Sequence, residues 1–263
     1  MITLYFSGTG NTKYIAELFS RKMGIDCLSI EDDADFAFLM NNHDTIAICY
    51  PIYGSRVPLI MREFVATYLA ELKGKKIAIF VTQMAFSGDG ARALCDLFPI
   101  GHIEVIYAEH FRMPNNICNI PLLRRTSDSR TKNCLMRAQS KIDVVCRDIE
   151  AGIVKRRGFS PMSRLLGKIQ GRPWQGDSRD AFTRENTLEH RAKHGIRIDS
   201  DCTLCEICVD ACPMQNLWIR NGVVENRGNC TSCYRCINSC PQRAITVLIH
   251  KKPTWQYHGF DSE

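Results

Sequence analysis

What the sequence lacks narrows what it can be. It has no run of about eighteen or more apolar residues, so no membrane-spanning helix is expected. Met1 to Phe6 carry no basic segment ahead of an apolar one, and the polar run Ser7 to Thr12 interrupts any apolar stretch. No secretory leader is expected, and the chain is placed in a reducing cytoplasm. A Walker A loop is absent, because Lys13 follows Thr12 in the wrong order. A dinucleotide fingerprint is absent too, since Lys13-Tyr14 stands where its third glycine would be. Aromatics are sparse in the basic stretch from Lys155 to Arg197. That stretch holds Arg156, Arg157, Arg164, Lys168, Arg172, Arg179, Arg184 and Arg191 but only Phe159, Trp174 and Phe182, so no nucleic-acid module is expected there. It reads as a solvated linker or partner surface, broken by Gly158, Pro161, Gly167, Gly171, Pro173 and Gly176.

What is abundant is cysteine, 14 in 263 residues. Eight repeat one spacing: Cys202, Cys205, Cys208 and Cys212 before Pro213, then Cys230, Cys233, Cys236 and Cys240 before Pro241. A zinc site needs four ligands in a tetrahedron and has no use for a third cysteine two residues on. The spacing resembles the run of a bacterial two-cluster ferredoxin, in which three thiolates serve one cubane and the fourth, ahead of the proline, reaches the other. The resemblance implies one 4Fe-4S cluster on Cys202, Cys205, Cys208 and Cys240, and a second on Cys230, Cys233, Cys236 and Cys212. All eight positions are filled, which argues against a three-iron centre. The other six cysteines (Cys27, Cys49, Cys95, Cys118, Cys134 and Cys146) show no ligand spacing and read as small buried hydrophobes.

The first residues read as a strand, Ile2 to Phe6, followed by Ser7-Gly8-Thr9-Gly10-Asn11-Thr12 and a helical pattern from Lys13. Backbone N–H groups of Gly8 to Asn11, three hydroxyls and a helix N-terminus suit a phosphate monoester. Tyr14, Ile15, Leu18 and Phe19 recur at helical spacing and face the core. Further apolar runs at Asp26 to Ile30, Thr45 to Tyr50, Lys76 to Thr82 and His102 to His110 alternate with helical segments, which predicts a parallel α/β sheet. Leu135, Ala138, Ile142, Val145 and Ile149 predict a closing helix over about residues 127–152.

The pattern at Ser7, Thr9, Gly10 and Thr12 resembles the FMN-phosphate loop of flavodoxins. That resemblance implies a doubly wound five-stranded sheet of order 2-1-3-4-5, with FMN at the carboxyl ends of the strands. The loops after the third strand (Pro51-Ile52-Tyr53-Gly54-Ser55-Arg56) and the fourth (Ala85-Phe86-Ser87-Gly88-Asp89-Gly90) resemble flavodoxin ring-binding loops. The resemblance places Ser7, Gly8, Thr9, Gly10, Asn11 and Thr12 at the phosphate. It places Pro51, Tyr53, Gly54, Phe86, Gly88, Asp89 and Gly90 at the ring, with Tyr53 stacking on it and Gly54 near its N5. Two departures stand out: a formal net charge of +6 where flavodoxins are acidic, and Phe86 where a tryptophan or tyrosine is expected. Arg56 either lowers the cost of a reduced, anionic flavin or is solvated.

The chain divides into a flavodoxin-like domain (1–152), the basic linker (153–197), a small α+β ferredoxin-like domain (198–250) and a tail (251–263). The third part has a hairpin about Asn221-Gly222 and a final strand from Ala244 to Ile249. Trp218 is expected to pack in this part, with Tyr234 and Ile207 between ligand cysteines shielding the clusters, and Trp255, Tyr257 and Phe260 give the tail apolar area. His190 and His194 share a helix face without a third ligand and read as a solvent-facing pair. As a whole the chain resembles flavodoxin-ferredoxin fusions of anaerobic bacteria, described as ferredoxin-like electron carriers. The resemblance implies FMN and two 4Fe-4S clusters in a low-potential carrier whose partners are redox proteins, with no nucleic acid or membrane. The alternative is a reductase that passes electrons from clusters to flavin to a small organic acceptor, bound under Met113 to Asn119 and the linker. A redox sensor would want a recognisable output module, and none is seen.

Overall fold

The computed structural model describes residues 1–175 and 187–260. Gly176, Arg179, Phe182 and Arg184 of the basic stretch, and residues 261–263 of the tail, lie outside the described residues. The N-terminal apolar runs form the parallel strands β1 (Ile2–Tyr5), β2 (Cys27–Ser29), β3 (Thr45–Pro51), β4 (Lys76–Gln83) and β5 (Glu104–Arg112). Ile46 to Tyr50 and Ile77 to Val81 are buried at every position, as strands covered on both faces must be.

The strand order is β2-β1-β3-β4-β5-β6, so the sheet has six strands rather than the expected five. The sixth, β6 (Lys155–Arg156), pairs Lys155 with Tyr107 and Arg156 with Ala108 at the free edge of β5. Two exposed basic residues carry no apolar alternation, so no strand signal marks them. Backbone bonding makes the strand: Arg157 N–H reaches Ala108 O at 3.0 Å, and Arg156 Nε reaches Val105 O at 2.7 Å.

Helices α1 (Asn11–Met23) and α4 (Asp128–Glu150) cover one face over Phe19, Phe80, Tyr107, Phe111, Ile142 and Val145. The other face lies under α2 (Phe36–Asn41), α3 (Leu59–Thr67) and the 3-10 turn Arg92–Leu97, with Met40, Tyr50, Met61, Val65 and Leu94 buried between. This layering leaves the carboxyl ends of β1, β3 and β4, with the loops beyond them, at one edge of the sheet.

Among its described residues, the segment 153–197 holds β6, α5 (Pro161–Gln175) and α6 (Leu188–His194). Helix α5 is packed on the sheet edge rather than solvated. Gly167, Gln170, Gly171 and Trp174 turn toward the loops after β3 and β4, while Met162, Leu165 and Ile169 face outward and are exposed. In α6 the His190 and His194 rings lie 4.7 Å apart.

The C-terminal unit is tied by β7 (Arg197–Ile198) pairing antiparallel with β10 (Ile245–Thr246). Between them run α7 (Ile207–Asp210), the hairpin β8 (Leu217–Arg220) and β9 (Val223–Asn226), and α8 (Arg235–Ser239). Asn221 and Gly222 have φ of 51° and 74°, the paired positive values that a two-residue hairpin turn needs. The expected strand from Ala244 to Ile249 is shorter than its apolar pattern, because only Ile245 and Thr246 find a partner strand.

Candidate cofactor sites

The two cysteine runs repeat in conformation as well as in spacing. Leu204 and Ser232 have φ of 55° and 59°, Glu206 and Tyr234 65° and 63°, Gln215 and Arg243 48° and 54°, each pair at the offset that separates Cys202 from Cys230. The first two pairs turn the chain between successive cysteines, and Gln215 and Arg243 turn it just after the fourth. Backbone N–H groups point at sulfur: Asn216 at Cys212 Sγ (3.2 Å), Ala244 at Cys240 Sγ (3.3 Å) and Ser232 at Cys230 Sγ (3.2 Å). Such bonds favour a thiolate and help set the potential of a cluster held by it.

The sulfurs fall into two neighbourhoods. Burial pushes the Cys208 thiol up to about 11, helped by the neighbouring charges of Cys240, Cys202 and Cys205. Burial holds Cys236 well above its ordinary value, with Cys233, Cys230, Cys212 and Cys208 next in effect. Cys212 lines one pocket together with Cys230, Cys233 and Cys236. Among the described residues no three His, Cys, Asp or Glu side chains converge as around a single ion. A cubane differs in taking one thiolate on each iron. Tyr234 is buried and covers this region, whereas Ile207, expected to do the same, is 42% exposed, because α7 turns it outward. Trp218 is half-buried and packs under Arg227, whose guanidinium lies 4.8 Å from its ring.

The loop from Ser7 to Thr12 lies between β1 and α1, and the C-terminal unit sits directly on it. A Cβ on Gly8 would collide with the Cys233 carbonyl oxygen, so only glycine allows this approach. Gly10, at φ 97°, packs against Gly259 of the tail. Arg235, between two cysteines of the second run, donates to Ser7 O (2.8 Å), Gly8 O (3.1 Å) and Ala211 O (3.0 Å), and forks onto Glu31 at 2.7 Å on both oxygens. Asn116 donates to Thr9 Oγ1 at 2.9 Å, Tyr257 to Asn11 Oδ1, and Thr12 Oγ1 meets Thr82 Oγ1 at 2.7 Å. The tail therefore folds back, with Phe260 against Tyr14 at 5.8 Å.

At the ring loops, Tyr53 sits between the phosphate loop and Trp174 of α5, its ring 6.4 Å from the indole. Its hydroxyl is buried without a partner among the described residues, as are Arg56 Nε and Asp89 Oδ1. Burial pushes the Tyr53 phenol well above its ordinary range, with the charge of Cys233 adding to the effect. Gly54 (φ 55°) and Gly88 (φ 56°) lie under Trp174 and Gly167, and Gly90 lies against Ile52. Asp89 is buried and bonded to Arg92 at 3.0 Å. Pro51 ends β3. Phe86 is 55% exposed rather than packed into this group. Behind the loop, His110 accepts from Ala91 N–H at 3.3 Å and bonds Ser87 Oγ at 3.1 Å; burial, then Arg157 and Lys141, hold it down at about 4.

The flavodoxin-domain family model matches residues 2–115, and the 4Fe-4S dicluster domain model matches residues 168–254. The chain joins a flavodoxin domain to a 4Fe-4S dicluster domain. The flavodoxin domain implies FMN and the dicluster domain implies iron-sulfur clusters, which together give a redox, electron-transferring role. Similar solved structures include a flavodoxin from the domain Archaea, with 18% identity, 55% of this chain and 96% of that chain covered, and a TM-score of 0.34. Another is two-electron reduced Megasphaera elsdenii flavodoxin, with 21% identity, 54% and 99% covered, and a TM-score of 0.37. General stress protein 14 of Treponema denticola, solved in complex with FMN, has 14% identity, 56% and 96% covered, and a TM-score of 0.42. No curated protein matches. Among the described residues no helix is long and apolar enough to cross a membrane.

Of the residues at these loops, Glu31 and Gln170 carry no signal in sequence. Asn116 falls within Met113 to Asn119, Tyr257 within the aromatic tail, and the cue for Arg235 is a cation between two cysteines of one run. Away from the two runs, burial pushes the thiols of Cys27, Cys95 and Cys118 up to about 11.

Proposed function

We propose that the chain passes electrons between two 4Fe-4S clusters and a bound FMN, as a carrier serving redox partner proteins. The single observation that carries this reading is the contact of Cys233 with Gly8, which puts a candidate cluster ligand directly on the phosphate loop. In this reading Cys202, Cys205, Cys208 and Cys240 hold one cluster and Cys230, Cys233, Cys236 and Cys212 the other. Ser7 to Thr12 hold the phosphate, and Pro51, Tyr53, Gly54, Gly88, Asp89 and Gly90 frame the ring. Phe86, exposed, is left at the margin. The donor set fits: eight thiols with N–H groups aimed at three of them, and three unpaired buried polar atoms at the ring loops.

When bound, the clusters exchange single electrons and FMN one or two, so joining them couples one- to two-electron chemistry. The chain's own residues hold the two close and dry. Arg235 locks the second cysteine run onto the phosphate loop, Tyr234 excludes water from the thiols, and Tyr53 spans the space from the loop to α5.

The test is stepwise anaerobic reduction of the protein loaded with FMN, iron and sulfide, following flavin and cluster absorbance together. The reading expects flavin reduction to follow cluster reduction and to slow sharply in a Cys233→Ser variant. Flavin reduction at an unchanged rate in that variant overturns it. A second reading, reduction of a small organic anion, is favoured by an open cavity of about 1090 Å³ lined by Met84, Arg112, Met113, Arg124, Arg137 and Lys141. Rapid reoxidation of the flavin by such an acceptor, competed by a charge-reversed Arg137→Glu, would select it.

A further inference from the structure

Helix α5 lies outside the residues matched to the flavodoxin domain, yet it covers both ring loops with one face. Gln170 accepts from Ser55 Oγ at 2.6 Å and donates to Phe86 O at 2.9 Å, so it bridges the loop after β3 to the loop after β4. Gly167 and Gly171 bring the helix backbone against Asp89 and the Arg56 guanidinium, where a Cβ would collide. One turn further, Trp174 projects to Tyr53, with centroids 6.4 Å apart and planes inclined by 47°.

We propose that Trp174 is the second stacking partner of the isoalloxazine, opposite Tyr53, supplied by α5 in place of an aromatic from the loop after β4. Three observations carry this. The aromatic of that loop, Phe86, is exposed and leaves the site without a packed ring from that loop. The Tyr53 and Trp174 centroids, 6.4 Å apart, stand near the outer limit for direct aromatic contact and just short of the roughly 7 Å that separates two rings stacked on a planar group between them; their 47° inclination means that the indole must turn toward parallel as the flavin enters. The Tyr53 hydroxyl, buried beside Gly8 with no partner among the described residues, asks for a polar ligand at this place. Helix α5 then acts as a fixed cover that excludes water from the flavin and makes the ring site depend on residues beyond the flavodoxin domain.

The inference rests on FMN binding at these loops, and the experiment separates the two. Full-length protein with its clusters rebuilt is titrated with FMN, reading flavin fluorescence and intrinsic tryptophan emission, for the native chain and for Trp174→Phe and Trp174→Ala. The native chain is expected to bind FMN and quench it. Trp174→Ala should bind about tenfold more weakly and leave the flavin brighter, while Trp174→Phe recovers most of the affinity. FMN should also quench an emission component that Trp174→Phe lacks, a readout that does not depend on the alanine variant folding. Equal affinity and equal flavin quenching in all three proteins, or equal loss of tryptophan emission in the native chain and Trp174→Phe, overturns the role of Trp174 and leaves FMN binding intact. Failure of the native chain to bind FMN overturns both.

Discussion

His110 shows how one side chain can set a pH limit on the fold. Its ring accepts from Ala91 N–H, which only the neutral imidazole can do, and Arg157 and Lys141 oppose a proton. The unfolded chain takes up that proton below the ordinary value of 6.5, while the folded chain resists until about 4. Stability is therefore full above pH 6.5 and falls as the pH drops toward 4, by at most about 3 kcal/mol. Thermal melts across pH 4 to 8 should show this loss, and His110→Gln should flatten it; an unchanged acid limb in the variant refutes the assignment. Gly8 sets a steric limit of similar sharpness. Gly8→Ala drives a methyl into the Cys233 carbonyl, and since backbone cannot yield as a side chain end does, the two units should part. Limited proteolysis between them should accelerate, with both cofactor spectra retained.

At the scale of elements, the parallel strands and the two long helices of the flavodoxin domain were legible, because buried runs and helical stripes leave a period in the sequence. Strand β6 and helix α5 were not, for opposite reasons. Lys155 and Arg156 carry no apolar signal at all, while the contact face of α5 is built from Gly167, Gln170 and Gly171, residues that read as a linker. Small residues are chosen there for close approach to the ring loops, and close approach has no local signature. Substituting Gly167→Leu would place a side chain against Asp89 and lift α5 from Gly88. Overpacking of this kind costs about 1–3 kcal/mol, and the melt should fall accordingly with the cluster absorbance unaffected. An unchanged melting temperature would show that α5 does not bear on the loops.

At the largest scale, Arg235 ties the halves together, with the Arg62–Glu189 pair as a second cationic link. Arg235 carries bonds to two phosphate-loop carbonyls and a forked pair with Glu31, while standing between Cys233 and Cys236. The pair is partly shielded, so Arg235→Ala should cost about 1–3 kcal/mol at the interface. In the proposed carrier it should slow electron passage from clusters to flavin far more than it alters either cofactor's content. Rapid-mixing reduction measures the first and absorbance the second. Equal rates would mean that the halves stay docked through the tail, where Tyr257 and Gly259 reach Asn11 and Thr9.

The sequence by itself determined the two domain types, the eight cysteines in two equivalent runs, and the loops at one sheet edge, because ligand spacing, turn glycines and strand periods are local properties. Folding alone sets the second cysteine run on Gly8 and closes the linker helix over Tyr53. Those facts are contacts between residues far apart in the chain, and they are set by packing and charge pairing that no window of sequence contains.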